Sequence, residues 1–366
     1  MVNSQRGDGV FVSDCEGPLS KNDNAFEIAA KFIPEGGRLF QLLSKYDDVL
    51  AEIVKKSGYR AGYTLALIAP FLKAHNVTNR EISDFSARNI VLIQGAMQLL
   101  RRVMEAIPSF IVSTSYEQYI FSICTLVGFP FENVYCTRLD VDKYFIDGEE
   151  KKKLKKFEKE ILNLSMIEIP NNTKSINDLS SESQETVERL DNIFLKEIPS
   201  MASYAILKDI KPLGGEEKAD SVRSIIERLH CNLSDVIYVG DSITDVRVLQ
   251  LVRAGKGLAI SFNGNMYAVR NADVAVLSEN AIVTSVLVDV FSKSGRDDVL
   301  SLVRDWSYYS LKKYCSDKTL VETIARTYGT ALPKVELVTR DNVEGLVKDS
   351  SAFRKTVRGE AIGRLG

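Results

Sequence analysis

Short apolar runs that end on a polar side chain recur along the chain, and they constrain its fold most strongly. The runs are Val10–Ser13, Phe110–Val112, Val236–Val239, Leu258–Ile260 and Val274–Leu277. Each is rich in β-branched or aromatic residues and too short for an average helix. Such runs are typical of strands that are buried on both faces of a parallel sheet.

Helical patterns separate the later runs. Val222, Ile225, Ile226 and Leu229 follow the spacing of one helix face, and a second pattern begins at Val246. Strands that alternate with helices predict an α/β fold with a Rossmann-like, doubly wound parallel sheet. In such a sheet, ligands bind beyond the carboxyl ends of the strands.

Two long segments interrupt this alternation and divide the chain. The first has only helical patterns, and the second begins with a lysine- and glutamate-rich helix and continues into a polar stretch that we expect to be partly mobile. We therefore predict a core from residues 1–22, 91–145 and 205–295, a helical cap from 23–90, a second insertion from 146–204 and a helical C-terminal extension from 296–366.

Composition excludes several classes of protein. The 366 residues include 47 Lys and Arg against 49 Asp and Glu, so no broad basic surface for nucleic acid is expected. Five cysteines without a CxxC pair do not indicate a disulfide framework, which favours a reducing compartment. The N-terminal MVNSQRGDGVFVSD lacks the apolar segment of a signal peptide, and no apolar stretch approaches the roughly 20 residues of a membrane span. We expect a cytoplasmic protein without membrane insertion.

Polar residues follow the predicted strands where a ligand crevice should lie. They are Asp14 and Glu16 after the first run, Ser113 and Thr114 after the second, and Asp241 and Asp245 after the third, with Lys218 ahead of the 222 helix. Asp14 and Asp241 suit Mg²⁺, which prefers carboxylate oxygens. Asp14 could also attack phosphorus, Glu16 could exchange a proton with the leaving oxygen, and Ser113 and Lys218 could bind phosphoryl oxygens.

At these residues the sequence resembles the haloacid dehalogenase superfamily of phosphohydrolases. VFVSDCEG is similar to the first motif of that superfamily, FIVSTS to the second, Lys218 to the third and VIYVGDSITD to the fourth. The four occur in the expected order, and the resemblance covers the core, about half of the chain. One motif alone would be weak evidence, whereas four in order are fairly specific.

The resemblance implies a Mg²⁺-dependent phosphatase that forms an aspartyl-phosphate on Asp14 and hydrolyses a small phosphorylated metabolite. The resemblance places Asp14, Glu16 and Asp241 around the metal and gives Asp245 a supporting role beside these ligands. The most similar members are phosphoserine-phosphatase-like. In them an acidic residue nine positions after the nucleophile contacts the substrate, which corresponds here to Asp23.

Several assignments have a simpler alternative. Asp23 could only cap the first cap helix, and Arg60, a candidate for a substrate carboxylate, could be an exposed arginine. Thr114 takes the phosphoryl-binding role of Ser113 if the register of the second motif differs by one residue. Lys211 is an alternative to Lys218 as the lysine of the third motif. The basic tail residues Arg354, Lys355, Arg358 and Arg364 could touch an acidic partner, but a solvated, frayed end is the default expectation.

The first motif departs from the usual pattern. Glu16 stands where the superfamily usually has Asp, and Pro18 stiffens the following turn. Either the cavity has adapted to glutamate or turnover is weak, because a misplacement of about 1 Å can cost about 100-fold in rate. DCEGPLSKNDNAFE and VSTSYEQYI also resemble an archaeal family described as a subunit of an energy-converting hydrogenase. The alternative hypothesis is thus a weakly active or non-catalytic subunit of a larger complex.

Overall fold

Seven strands form one sheet in the computed structural model, which describes residues 9–56, 58–170 and 173–363. The strands are β1 (Val10–Ser13), β2 (Ser109–Tyr116), β3 (Val134–Thr137), β4 (Val236–Gly240), β5 (Leu258–Phe262), β6 (Val274–Leu277) and β7 (Lys334–Leu337). Their order is β3-β2-β1-β4-β5-β6-β7, and only the β6–β7 pair is antiparallel. The predicted α/β fold with a mostly parallel sheet is confirmed.

Helices cover both faces of the sheet and build the segments outside it. In chain order the α-helices of the described residues are α1 (Asn24–Phe32), α2 (Gly36–Asp48), α3 (Thr64–Ala74), α4 (Asn79–Arg88), α5 (Ala96–Ala106), α6 (Glu117–Val127), α7 (Gly148–Leu162), α8 (Ser181–Asn192), α9 (Tyr204–Asp209), α10 (Glu216–Leu229), α11 (Val246–Ala254), α12 (Met266–Asn271), α13 (Ile282–Ser294), α14 (Arg296–Arg304), α15 (Tyr308–Tyr314), α16 (Lys318–Tyr328), α17 (Val343–Arg358) and α18 (Glu360–Gly363).

The strands are apolar throughout because both of their faces are buried. In β4, Ile237 and Val239 join the apolar layer that contains α5, α6 and α13, whereas Val236 and Tyr238 join the layer of α10 and α11. This alternation is the pleat of a β-strand sandwiched between two helix layers. The chain order reverses at β1, which lies between β2 and β4. A crevice therefore opens at the carboxyl ends of these central strands.

The cap and the second insertion share one apolar core. Helices α1 to α4 follow β1. Helices α7 and α9 pack on α3, α7 also packs on α2, and α8 contributes to the same apolar core. His75 Nε2 in the first group lies 2.7 Å from Glu158 Oε2 in the second. The two segments that the sequence divides at 23–90 and 146–204 therefore pack as one helical body. Part of the stretch expected to be mobile forms α8, and residues 171–172 of it lie outside the described residues.

The C-terminal extension differs from the sequence prediction in two ways. It contributes β7, which pairs with the sheet edge, so it is not wholly helical. Its last long helix, α17, packs on α12 and β6 with Leu346 buried, and Arg354 is only 3% exposed. The expectation of a solvated, frayed tail was wrong for α17, which ends at Arg358, whereas α18 has no buried residue. Arg364 and the N-terminal residues 1–8 lie outside the described residues.

The described residues contain neither a helix that could span a membrane nor a disulfide. Within the described ranges, no helix combines the length and apolar character needed to cross a membrane. All five cysteines fall within these ranges, and each is free.

Candidate active site

The acidic residues that end β1 and β4 are adjacent because of strand register. Ser13 pairs with Val239 and with Ile111, so the next residue, Asp14, emerges between the ends of β4 and β2. The Asp14 N–H donates to the Val239 carbonyl at 2.8 Å, which extends the strand contact to the catalytic candidate itself. The strand ends thus bring the first, second and fourth motifs together.

Lys218 connects two of these carboxylates. Its Nζ donates to Asp14 Oδ2 at 2.5 Å and to Asp245 Oδ1 at 2.7 Å, and its side chain has no exposed surface. Burial alone would lower the pKa of Lys218, but the charges of Asp14 and Asp245 raise it above its ordinary value. Lys218 is therefore a fixed cation beside Asp14. The competing candidate Lys211 is exposed.

Asp245 organises the loop after β4. Its Oδ2 accepts hydrogen bonds from the N–H groups of Asp241 and Ser242, at 2.9 and 3.0 Å. Its Oδ1 accepts from the Tyr238 hydroxyl at 2.6 Å as well as from Lys218. Burial opposes ionisation, but the Lys218 charge and these hydrogen bonds lower the pKa of Asp245. Asp245 is thus an ionised anchor that positions Asp241.

Asp14 itself is buried and tightly held. Its Oδ1 accepts from the Cys15 N–H at 2.6 Å. Burial raises the pKa of Asp14 to about 7, and this exceeds the opposing effect of Lys218, while Asp245 and Asp241 raise it further. Added positive charge, such as a bound cation, would favour the ionised form that a nucleophile needs.

Asp241 has partners that the sequence analysis missed. Arg354 and Arg358 of α17 both direct Nη1 at Asp241 Oδ2, the second at 3.1 Å. On the other side Gly17, with φ +106°, lies so close that a Cβ there would collide with the same carboxylate. One sequence signal could have indicated the buried arginine: Leu346, Ser350, Arg354 and Val357 share a stripe along α17.

Glu16 lies between the core and the cap. Its Oε1 accepts from the Asn24 N–H at 2.7 Å, at the first residue of α1. Burial, together with nearby Asp23, raises the pKa of Glu16 well above its ordinary value. A raised pKa favours the protonated carboxyl form, which a general acid needs. The Glu16 side chain, one methylene longer than that of the usual Asp, also reaches the first turn of the cap.

The second motif contributes hydroxyl groups on the other side of Asp14. Ser113 is buried, and its Oγ lies 3.2 Å from Ser115 Oγ. Thr114 Oγ1 instead donates to the Leu213 carbonyl at 2.9 Å. Ser113 therefore lines the cavity beside Ser115, whereas Thr114 helps to anchor the segment that leads to α10.

These residues line one cavity of about 110 Å³ beneath the cap. The core contributes Asp14, Glu16, Ser113, Thr114, Ser115, Asp241, Ser242 and Thr244, the cap contributes Asp23, Ser44, Asp47, Asp48 and Thr64 with apolar neighbours, and α17 contributes Arg354 and Arg358. The volume suits a small group rather than a polymer.

Two predicted substrate contacts have different positions. Asp23 lines the cavity and also caps α1, because its Oδ1 accepts from the Phe26 N–H at 3.0 Å. Arg60 does not line the cavity. Its Nη1 lies 2.5 Å from Glu217 Oε1, and 41% of its side chain is exposed, so the simpler alternative describes it better.

The acidic residues suit a hard divalent cation. Asp14, Asp241 and Asp245 can each present an oxygen within 4.8 Å of the others, and carboxylate oxygens are the ligands that Mg²⁺ prefers. Glu16, predicted as a ligand, directs an oxygen at the cap, and Asp245 takes the third place in the group. The donor set fits Mg²⁺ at Asp14 and Asp241, although the latter now bonds to two guanidinium groups.

Comparisons with known proteins agree with this geometry. Residues 102–287, half of the chain, match a family described as haloacid dehalogenase-like hydrolase. The structure of a gene product from Archaeoglobus fulgidus is similar over 98% of this chain and 99% of that one, with 26% identity and a TM-score of 0.78. A substrate-bound phosphoserine phosphatase matches 78% of this chain and 99% of its own at 15% identity, with a TM-score of 0.46. That likeness is too distant to indicate a shared activity. No curated protein matches the sequence.

Proposed function

Because the chain belongs to the haloacid dehalogenase-like hydrolases, we propose that it is a Mg²⁺-dependent phosphatase acting on a small phosphomonoester through an aspartyl-phosphate on Asp14. The main support is the convergence of Asp14, Lys218 and Asp241 at the strand ends, beside a small cavity under the cap. Its cysteines are all free, which fits our further proposal of a cytoplasmic location.

In the proposed reaction, Asp14 and Glu16 carry out two chemical steps. In the first, an Asp14 carboxylate oxygen bonds to phosphorus, the bond from phosphorus to the ester oxygen breaks, and Glu16 gives its proton to that oxygen. In the second, Glu16 takes a proton from water, the water oxygen bonds to phosphorus, and the bond to Asp14 breaks. Inorganic phosphate and the alcohol are released, and both carboxylates return to their starting state.

The other residues hold charge where these steps need it. Lys218 stays protonated between Asp14 and Asp245 and favours the ionised nucleophile. Ser113 presents its hydroxyl to the cavity as a donor for phosphoryl oxygens. A divalent cation held by Asp14 and Asp241 would offset the repulsion between a phosphate dianion and the carboxylates around it.

A direct assay tests the proposal. Phosphate release is measured from a panel of small phosphomonoesters with Mg²⁺ and with a chelator, for the wild type and for Asp14→Asn. We expect Mg²⁺-dependent release that Asp14→Asn abolishes. Asp84→Asn, at an exposed cap position, is the matched control and should keep full activity. Activity that survives Asp14→Asn would overturn the assignment of the nucleophile.

The non-catalytic alternative has one structural observation in its favour. The carboxylate expected to bind a cation is already neutralised by Arg354 and Arg358. A scaffold subunit would keep such a closed arrangement without turnover. No phosphate release from any ester, together with stable co-purification in a larger assembly, would favour that function. The hydrogenase-subunit resemblance remains a prediction.

A further inference from the structure

Two arginines of the C-terminal helix α17 reach into the cavity, one helical turn apart. Arg354 donates from Nη1 to Asp241 Oδ2 and, at 3.2 Å, to the Asp241 carbonyl. Arg358 donates to the same Oδ2 at 3.1 Å. Their side chains are 3% and 5% exposed. Two guanidinium groups therefore neutralise one oxygen of a carboxylate that the proposed function assigns to a cation.

Further contacts hold the helix in this position. The Ser350 hydroxyl donates to the Gly264 carbonyl at 2.7 Å, in the loop after β5. Arg358 Nε donates to the Lys21 carbonyl at 3.0 Å, in the segment between Asp14 and the cap. Arg270 of α12 lies 3.0 Å from Glu344 near the start of α17. The arginines thus belong to a built interface that joins both strand-end loops.

Charge balance shows what the pair can bind. The described residues that line the cavity include several carboxylates, and Arg354 and Arg358 are the cationic side chains among them. Lys218 lies behind Asp14 and already serves two carboxylates. A phosphate monoester brings up to two negative charges into this acidic space. Guanidinium groups match phosphate oxygens with paired N–H donors.

Asp241 Oδ2 cannot accept hydrogen bonds from two arginines and coordinate a cation at the same time. A cation on Asp241 would repel both guanidinium groups, and Nη1 of each, which now donates to Asp241, would then turn to another acceptor. The distance to be covered is short, because the arginines and Asp14 line the same cavity. The cation and the arginine pair are therefore competitors for Asp241, and both arginines line the cavity that would hold a phosphate.

We propose that Arg354 and Arg358 are anion-binding residues of this site, which neutralise Asp241 until a divalent cation takes that carboxylate and then bind the phosphate of the substrate. The proposal rests on the proposed function for the identity of the substrate. It makes two measurable claims: the arginines oppose cation binding, and they support phosphate binding once the cation is present. By linkage, each ligand changes the affinity of the other.

Binding titrations on the full chain test both claims without turnover. Mg²⁺ is titrated calorimetrically into wild type, Arg354→Gln and Arg358→Gln, and inorganic phosphate is then titrated at saturating Mg²⁺. Compared with the wild type, we expect each variant to bind Mg²⁺ at least about fivefold more tightly and phosphate about tenfold more weakly. Lys355→Gln removes the same charge from the same helix without an Asp241 contact, and should match the wild type in both titrations.

Unchanged or weaker Mg²⁺ binding in the variants would overturn the proposal, and so would unchanged phosphate binding. Because Arg354 is buried, thermal unfolding followed by circular dichroism establishes that each variant is folded. If Arg354→Gln does not fold, Arg358→Gln alone decides the result. Failure of the proposed function is distinguishable, since it would appear as absent or Asp14-independent phosphate release, whereas these titrations involve no catalysis.

Discussion

Lys218 Nζ lies 2.5 Å from Asp14 Oδ2, although 204 residues separate the two in sequence. The same ammonium group lies 2.7 Å from Asp245 Oδ1, and neither Lys218 nor Asp245 has exposed side-chain surface. One buried cation thus balances two buried carboxylates, one from β1 and one from the loop after β4. This ion triad joins the first, third and fourth motifs, so its integrity affects stability as well as chemistry.

Removing the cation should destabilise the fold. Lys218→Met keeps most of the side-chain volume but leaves the buried carboxyl groups of Asp14 and Asp245 without their cation, which we expect to cost about 3–5 kcal/mol in the free energy of unfolding. Urea unfolding measures this loss. Lys211→Met, at an exposed position, should change stability by less than about 0.5 kcal/mol. Equal stabilities for Lys218→Met and wild type would contradict the ion triad.

Glu16→Gln should reveal whether Glu16 donates a proton. The amide cannot protonate a leaving alkoxide, so we expect a loss of about 100-fold or more in kcat for alkyl phosphates. With esters of acidic phenols the phenolate departs without needing a proton. The rate of the step that forms the intermediate should therefore fall much less for these esters. Single-turnover rates on both kinds of ester provide the measurement. Equal losses on the two would indicate that Glu16 only positions the cap through Asn24.

The acidic residues of the site could be predicted from sequence, whereas the contact of the arginine pair with Asp241 could not. Asp14 and Asp241 follow apolar strands directly, Asp245 lies four residues after Asp241, and strand ends in a parallel sheet meet at one edge. Arg354 lies 113 residues after Asp241, beyond the last segment with a recognisable motif. Only the packing of α17 on α12 and β6 brings it to the site. A basic residue in an amphipathic helix is exposed far more often than buried, so the pattern favoured the wrong answer.

The sequence analysis did not predict two strands, β3 and β7, which lie at the two edges of the sheet. β3, Val134–Thr137, is a four-residue strand at the sheet edge with only its last two residues buried. β7, Lys334–Leu337, has a charged side chain at every second position, because it is the other edge and one face is solvated. Lys334 pairs there with Asp349 at 2.9 Å. Short edge strands lack the uniformly apolar run that marks the central ones.

Gly17→Ala should displace Asp241. Gly17 has φ +106°, and a Cβ at this position would collide with the Asp241 carboxylate. The matched control is Gly128→Ala, which has φ +74° but open space around the added methyl group. We expect the control to lose about 1 kcal/mol in the free energy of unfolding and Gly17→Ala roughly 2 kcal/mol more. Urea unfolding and Mg²⁺ titration provide the measurements, and equal behaviour of the two variants would contradict the close approach.

The stability of the cap should depend on pH through Asp47. This residue of α2 is 3% exposed, and its Oδ2 accepts hydrogen bonds from Gly62 N–H, Thr64 N–H and Thr64 Oγ1, at 2.9, 3.1 and 2.9 Å. Burial, with nearby Asp48, raises the pKa of Asp47 from 3.8 to about 7. Because the folded state prefers the protonated form, its stabilising contribution is complete below about pH 4 and is lost as the pH rises towards 7.

Asp47→Asn keeps an oxygen acceptor for these donors and stays neutral at every pH. Relative to this variant, the wild type should lose on the order of 2 kcal/mol of unfolding free energy between pH 5 and pH 8. Urea unfolding at both pH values gives the difference, and comparison with the variant cancels the titration of all other groups. Asp84→Asn, at an exposed position, should run parallel to the wild type over the same range. A constant difference between Asp47→Asn and wild type would mean that Asp47 ionises normally within the folded cap.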